Sequence, residues 1–293
     1  MTVILFLVLI EVLSLHPKTS RYIEKLTGST EFRESGTGYE EVGQSILGVQ
    51  KDDKTTKLVL GDSIARQLFT EYAHDNQTSI QCSSAAICIT GQYMLAMDWL
   101  NCHENATDIY LYMHPTSLAR TIEAAWGYPY VVIPFGLYDK LGYLDGKTIK
   151  DMESVYGGLF MKKQVIRLIN DSALNRKMYL TYMQRKNKEY EQSNRFEISE
   201  LYLLKLKEEC EARGVSFHLI CNPSTEFQKK TIEELRTDYN RTELATAFPD
   251  YLENIYYYSD DLTNDYMHLS PEYATREFMD RMMEEAFGAG NLP

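Results

Sequence analysis

Short apolar runs alternate with amphipathic stretches along most of the chain after residue 56. The apolar runs predict buried strands at 58–60, 78–82, 108–113, 215–221 and 254–258. Apolar positions at helical spacing predict helices at 64–72, 93–100, 196–213, 225–237 and 271–287. Strands that alternate with helices form a mostly parallel sheet with helices on both faces. The pattern therefore predicts one α/β domain over 57–293.

This alternation breaks down between residues 126 and 195. An aromatic run with two prolines at 128–135 leads into a glycine-containing segment, and a strongly polar run covers 175–194. We interpret 126–195 as an insertion over the carboxyl end of the sheet. Its aromatic side chains have two interpretations, a platform that binds sugar rings or a small core of the insertion itself. Because aromatic side chains are so often buried, the core is the favoured interpretation.

The amino end has a different composition. Residues 2–15 are apolar except for Glu11 and Ser14, and basic residues follow them. Three interpretations are open, namely an export signal or anchor, a helix lying on a membrane, and a buried first helix. We predict membrane association through 2–15 and a cell-envelope or secreted location, with a cytoplasmic location as the alternative. Residues 16–56 are polar and glycine-containing, which predicts a linker or a covering segment.

Charge and motif content narrow the function classes. The formal net charge of −12 argues against nucleic acid as a partner, because phosphate binding needs a basic surface. The five cysteines show no zinc-ligand spacing, and no glycine-rich phosphate loop is present, so we predict no metal and no cofactor. Most of these cysteines are expected to be small buried hydrophobic residues, and one disulfide among the first three is an open alternative.

The chemistry of the chain is concentrated at Gly61-Asp62-Ser63, where the first strand meets the first helix. The first N–H groups of a helix have no partner within it, and they lie at the positive end of the helix dipole. A serine at this turn is therefore well placed to attack, and an oxyanion formed there would be stabilised. An ordinary turn with an N-cap is the structural alternative.

A second motif, Asp265-Tyr266-Met267-His268, lies just before the predicted final helix. Gly-Asp-Ser after a strand, followed near the carboxyl end by Asp-x-x-His, resembles the two signatures of the SGNH/GDSL hydrolase superfamily. This resemblance implies a flavodoxin-like three-layer fold and a catalytic triad. Ser63 is then the nucleophile, His268 is its base, and Asp265 orients the ring of His268.

The resemblance also implies an oxyanion hole formed by the N–H groups of Ser63 and Gly91, with Gly91 expected just before a helix. The family's Gly-x-Asn-Asp after the third strand is absent, and His114-Pro115-Thr116-Ser117 stands in its place. His114, Thr116 or Ser117 can supply the missing donor from there. Alternatively, this segment starts a helix with Thr116 or Ser117 as its cap.

Two residues of the nucleophile segment have further expected roles. Asp62 is expected to fix the turn rather than act chemically. Arg66, three residues after Ser63, has two open roles, which are holding an acidic group of the substrate and lying on the surface.

Together these features predict a serine esterase or O-acyltransferase that acts on O-acylated carbohydrate, with O-acetyl as the expected acyl group. The carbohydrate part follows from the resemblance, which is closest to polysaccharide-associated members, and from the aromatic insertion. The alternative is a catalytically weak SGNH-like protein that binds polysaccharide during assembly, as the missing Gly-x-Asn-Asp suggests. A small-ligand binding module is disfavoured because no phosphate-binding loop is present.

Overall fold

A computed structural model describes residues 41–288 except 71, 73, 74, 172 and 187. The predicted apolar leader at 2–15 and the first part of the segment 16–56 lie outside the described residues. The chain forms two compact units. One comprises 45–121 with 191–288, and the other comprises 122–190 with 41–44.

The first unit contains a parallel four-stranded sheet. Its strands are β1 (Lys57–Gly61), β2 (Thr78–Ile80), β3 (Asp108–Met113) and β4 (Ser216–Cys221), in the order β2-β1-β3-β4. Every pairing is parallel. Past β4, the short strand β5 (Ser224–Thr225) pairs in parallel with β6 (Tyr257–Tyr258). The predicted α/β class is confirmed, and the strand order is consistent with a flavodoxin-like fold.

The helices are numbered in chain order. Helices α1 to α6 are residues 41–49, Ser63–Phe69, Cys88–Cys102, Pro115–Leu118, Ala124–Gly127 and Ile133–Leu137. Helices α7 to α13 are Gly146–Tyr156, Lys163–Asp171, Ala173–Lys186, Glu197–Ala212, Lys229–Tyr239, Leu244–Ala247 and Arg276–Phe287. One π-helical turn covers Tyr128–Val132, and 3-10 turns include Ala85–Ile87, Glu226–Gln228 and Asp260–Leu262.

Helices pack on both faces of the sheet because alternate strand residues point to opposite sides. On one face, α2 and α13 cover Val59 and Tyr112, and three methionines of α13 complete the cluster. Leu58 and Leu60 point to the other side and are fully buried. There α3 contacts β1, α10 contacts β4, and the rings of Tyr93 and Tyr202 join the two helices. This arrangement holds the carboxyl ends of the strands in place.

Two segments differ from the simplest prediction for identifiable reasons. Within 16–56, which is predicted to be a linker or a covering segment, residues 41–49 form helix α1, in which Val42, Ile46 and Val49 repeat at helical spacing and are buried. The final helix begins at Arg276 rather than at Pro271. The hydroxyl of Thr275 accepts the N–H of Phe278 and caps it there.

Residues Ile122–Tyr190 make up most of the second unit, and their bounds are similar to those predicted for the insertion, 126–195. Tyr128, Tyr156 and Tyr179 are buried in it, and Tyr179 packs on Phe160 with ring centroids 4.1 Å apart. These aromatic residues therefore make a small core, which is the favoured interpretation of the two. Trp126 is an exception with 48% of its surface exposed.

Candidate active site

Ser63 lies at the junction of β1 and α2, where close packing requires a glycine. A Cβ on Gly61 would lie 2.4 Å from the Cβ of Ala65 and 2.6 Å from the carbonyl oxygen of Tyr112. The missing side chain lets the first turn of α2 approach β3. Asp62 then caps the helix, since its Oδ1 accepts the N–H groups of Ile64 and Ala65 at 3.0 and 3.3 Å.

Asp62 also links this turn to two other strand ends. Its Oδ2 accepts the N–H of His114, which follows β3, at 2.8 Å. Its Oδ1 accepts the amide of Asn222, which follows β4, at 2.8 Å. The carboxylate is fully buried and receives four N–H donors. Asp62 therefore fixes the turn that carries Ser63, as the sequence predicts.

The second motif forms a tight loop after β6. Oδ1 of Asp265 accepts the backbone N–H groups of Met267 and His268 at 3.0 and 2.7 Å. Its Oδ2 accepts Nδ1–H of His268 at 2.7 Å. Partial burial raises the pKa of Asp265, but these hydrogen bonds outweigh the effect and hold the pKa below its usual value. The carboxyl group is therefore ionised at neutral pH and holds the imidazole ring.

The two motifs meet across 205 residues of sequence. The hydroxyl of Ser63 donates to Nε2 of His268 at 2.8 Å, which is within the range expected for a nucleophile and its base. With Nδ1–H directed to Asp265, Nε2 carries the lone pair that accepts the serine proton; these hydrogen-bond partners assign the tautomer. The His268 side chain is 36% exposed, so the ring is accessible from solvent.

Gln67 is a residue of this site that the sequence analysis missed. Its Nε2 donates to the carbonyl oxygen of Leu269 at 2.7 Å, and its Oε1 accepts the N–H of Leu269 at 3.0 Å. The helix that carries Ser63 therefore holds the residue directly after His268 through two hydrogen bonds. The available signal was the four-residue spacing from Ser63, which puts both side chains on one helix face.

The predicted oxyanion role of Gly91 does not fit its position. Gly91 lies inside α3, which begins at Cys88, rather than just before it. In a helix with this start, the N–H of Gly91 donates to the carbonyl of Ile87 and is not free for a substrate. The missing side chain serves packing, because a Cβ would lie 2.6 Å from the Cβ of Ile87.

The loop after β2 is bonded to the end of β1 by backbone hydrogen bonds. The N–H groups of Gln81 and Ser83 donate to the carbonyls of Val59 and Gly61 at 2.8 and 2.9 Å. These bonds extend the parallel ladder to the end of β1. Ser84 follows at once, and its hydroxyl accepts the N–H of Ala86. Ser83 is therefore the last residue of this loop that is bonded to the end of β1, and Ser84 follows it directly.

The candidates after β3 bond within the protein. His114 is 1% exposed, its Nε2–H donates to the hydroxyl of Ser224 at 3.0 Å, and its Nδ1 accepts from Thr116. Burial lowers the pKa of His114 to about 4 although Asp62 opposes the shift, so the ring is neutral. Ser117 is buried as well. The segment starts helix α4, and its cap is His114 rather than Thr116 or Ser117.

Arg66 lies in α2, three residues after Ser63, and is partly buried. It lines a groove of about 420 Å³ along β2, together with Lys51, Phe69 and Gln81. Ser63, Asp265 and His268 are not among the residues that line this groove.

Four further findings concern the candidate site and the chain. Within 41–288, apart from the five residues noted above, no helix is long and apolar enough to cross a membrane. The same part of the chain holds no cluster of three or more histidine, cysteine or acidic side chains suited to a metal ion. All five cysteines are free. No family model, curated protein or solved structure matches this chain.

Proposed function

We propose that this protein is a serine esterase or O-acyltransferase of the SGNH/GDSL type. The observation that carries the proposal is the continuous chain of hydrogen bonds from Asp265 through His268 to Ser63. A nucleophile, a base and a group that orients the base recur in unrelated enzymes that form acyl intermediates. Two motifs so far apart in sequence would not meet in this order and at these distances for turn geometry alone.

The proposed reaction proceeds in two halves. The oxygen of Ser63 attacks the ester carbonyl while Nε2 of His268 takes the hydroxyl proton. The tetrahedral intermediate collapses, the acyl group stays on Ser63, and His268 returns the proton to the leaving alcohol. A second hydroxyl compound then gives its proton to His268 and attacks the acyl-enzyme. The bond between the acyl group and Oγ of Ser63 breaks, and His268 returns the proton to Ser63. Water as this acceptor yields a free acid, and a sugar hydroxyl yields a new ester.

The oxyanion hole in this proposal uses backbone groups. The first donor is the N–H of Ser63, and we propose the N–H of Ser84 as the second in place of Gly91. Neither N–H has a hydrogen-bond acceptor among the residues that the structure describes. One oxyanion donor typically contributes about 100-fold to 1,000-fold in rate.

The substrate class rests on the resemblance of the two motifs to polysaccharide-associated relatives. We propose an O-acylated carbohydrate, with O-acetyl as the acyl group, and a cell-envelope or secreted location. A catalytically weak protein that binds polysaccharide is the second candidate. One observation favours it, because the position after β3 offers a buried His114 where the family has an oxyanion asparagine.

A fluorophosphonate probe distinguishes the two candidates. We expect it to label the wild-type protein and not Ser63→Ala. The matched control is Ser216→Ala, which removes an exposed serine of β4 and should leave labelling intact. No labelling of a wild-type protein that is shown to be folded would favour the binding protein.

A further inference from the structure

Two aromatic rings are stacked at the surface of the loop that carries Asp265 and His268. Phe227 and Tyr266 have ring centroids 4.6 Å apart and planes 27° apart. They are 60% and 51% exposed, respectively. Tyr266 lies between Asp265 and His268, and Phe227 comes from the 3-10 turn after β5. We call this pair the aromatic platform.

The backbone of Tyr266 adopts a conformation that disfavours a large side chain. Its φ is +59°, in the left-handed region, where a residue other than glycine or asparagine costs about 1–2 kcal/mol. The hydroxyl of Thr263 accepts the N–H of Tyr266 at 3.1 Å, and the hydroxyl of Thr225 donates to its carbonyl at 2.9 Å. About half of Tyr266 is exposed, and its ring packs on Phe227. A tyrosine is therefore held at the surface in a backbone conformation that glycine or asparagine adopts more easily.

Phe227, the second ring of the platform, is also bonded to the chain segment that leads to Asp265. The N–H of Phe227 donates to Oδ1 of Asp260 at 2.8 Å, in the 3-10 turn that leads to Asp265. Residues 259–268 include three aspartates and neither lysine nor arginine. The nearest cation to Phe227 along the chain, Lys229, is paired with Glu226 at 2.5 Å. The surroundings are therefore acidic and rich in hydrogen-bond acceptors.

From this geometry we infer that the aromatic platform binds a sugar ring of the substrate, and that this sugar is neutral or positively charged. The inference deepens the proposed function and rests on it for the identity of the reaction. The C–H face of a pyranose packs on an exposed aromatic ring, and nearby carboxylates accept its hydroxyl protons. Acidic sugars are disfavoured because the adjacent aspartates repel them. A contact here holds the substrate two residues from His268, so remote binding energy positions the ester.

Binding is measured by calorimetry in a Ser63→Ala background, so that no turnover occurs. The probes are xylo-, cello-, manno- and chito-oligosaccharides of four units, with tetragalacturonate as the acidic probe. We expect at least one neutral or amino-sugar probe to bind. Tyr266→Asn should weaken that binding about tenfold, because it removes the ring while asparagine tolerates the left-handed backbone. Tyr266→Phe keeps the ring and should retain the affinity, and Phe227→Ala should weaken binding similarly to Tyr266→Asn.

A second readout uses turnover. This experiment uses protein in which Ser63 is intact, and kcat/KM is measured on an acetylated oligosaccharide and on p-nitrophenyl acetate. Tyr266→Asn should lower the ratio of the first value to the second by about tenfold. Tyr266→Phe should restore this ratio. The purely structural role predicts no change in the ratio, because loosening of the catalytic loop would slow both substrates equally.

Failure of this inference is separable from failure of the proposed function. If the fluorophosphonate labels Ser63 but no neutral or amino-sugar probe binds, the platform proposal is overturned and the esterase proposal stands. Equal affinity of Tyr266→Asn and wild type for a probe that binds would also overturn it, as would preferential binding of tetragalacturonate. If Ser63 is not labelled, the binding measurements still decide whether the platform holds sugar.

Discussion

Replacement of Gln67 by methionine removes both hydrogen bonds to Leu269 while it keeps side-chain length and helix propensity. Gln67 is a positioning residue in our interpretation, because it contacts the chain next to His268 rather than a substrate. The variant therefore tests whether the nucleophile helix sets the place of the general base.

The expected loss of stability follows from the two bonds. A hydrogen bond within a protein contributes about 0.5–1.5 kcal/mol net, so two of them contribute about 1–3 kcal/mol to the free energy of unfolding. The effect on catalysis has a different origin. A displacement of about 1 Å at a catalytic group can cost about 100-fold in rate. We expect Gln67→Met to lower kcat on an aryl acetate by about 10-fold to 100-fold and to leave KM nearly unchanged.

Gln50→Met is the matched control for this experiment. The side-chain amide of Gln50 donates to Oδ2 of Asp98 at 2.8 Å, a contact that includes none of the triad residues. A hydrogen bond to a charged group contributes about 1.5–3 kcal/mol, so both variants should lose comparable stability in urea unfolding. Only Gln67→Met should lose kcat. If both variants keep kcat within about twofold of wild type, the contact holds the fold together and does not position His268.

Three further substitutions test the other parts of the site. Asp265→Asn replaces the carboxylate that accepts Nδ1–H by an amide, which neither fixes the tautomer of His268 nor stabilises its charged ring, and it should lower kcat on an aryl acetate by about 100-fold to 10,000-fold. His114→Asn should reduce the dependence of the unfolding free energy on pH. The pKa of His114 is about 4 in the folded protein and 6.5 in the unfolded chain, so the wild-type protein loses about 3 kcal/mol of stability as the pH falls from 7 to 4. Urea unfolding of the variant should show a loss that is smaller by that amount. Gly91→Ala should lower the unfolding free energy by about 1–3 kcal/mol through contact with Ile87 and leave kcat unchanged; a large fall in kcat with intact folding would restore Gly91 as an oxyanion donor.

The sequence predicted those parts of the fold whose signal is local. Leu58 to Leu60 form a short apolar run before a glycine, and the strand appears there. The Asp-x-x-His spacing puts a carboxylate within reach of the ring three residues later, which is a property of the turn itself. That Ser63 and His268 would meet was inferred from resemblance, because no local pattern records a contact across 205 residues.

The errors occurred where burial by distant residues decides the outcome. Glycines at 43 and 48 suggested a linker, but the helical spacing of Val42, Ile46 and Val49 prevails because all three are buried. Gly91 suggested a turn, yet it is a close-packing position within α3. His114 looked like a donor for the substrate, and only the fold shows that its ring is enclosed and bonded to Ser224. Such outcomes depend on tertiary packing, which intrinsic propensity does not contain.

The capping of α2 explains how one short motif serves both folding and the proposed chemistry. An N-cap side chain accepts from the second or third helical N–H, and Asp62 accepts from Ile64 and Ala65. The first helical N–H, that of Ser63, is left without an acceptor in the part of the chain that the structure describes. The other oxygen of Asp62 accepts the N–H of His114, and the structure gives no hydrogen bond from the N–H of Ser63 to either oxygen. A buried negative charge so close to an oxyanion would oppose its formation, and the four N–H groups that surround Asp62 reduce this repulsion. The motif thus places the carboxylate of Asp62 inside the fold and leaves the N–H of Ser63 available for the proposed oxyanion.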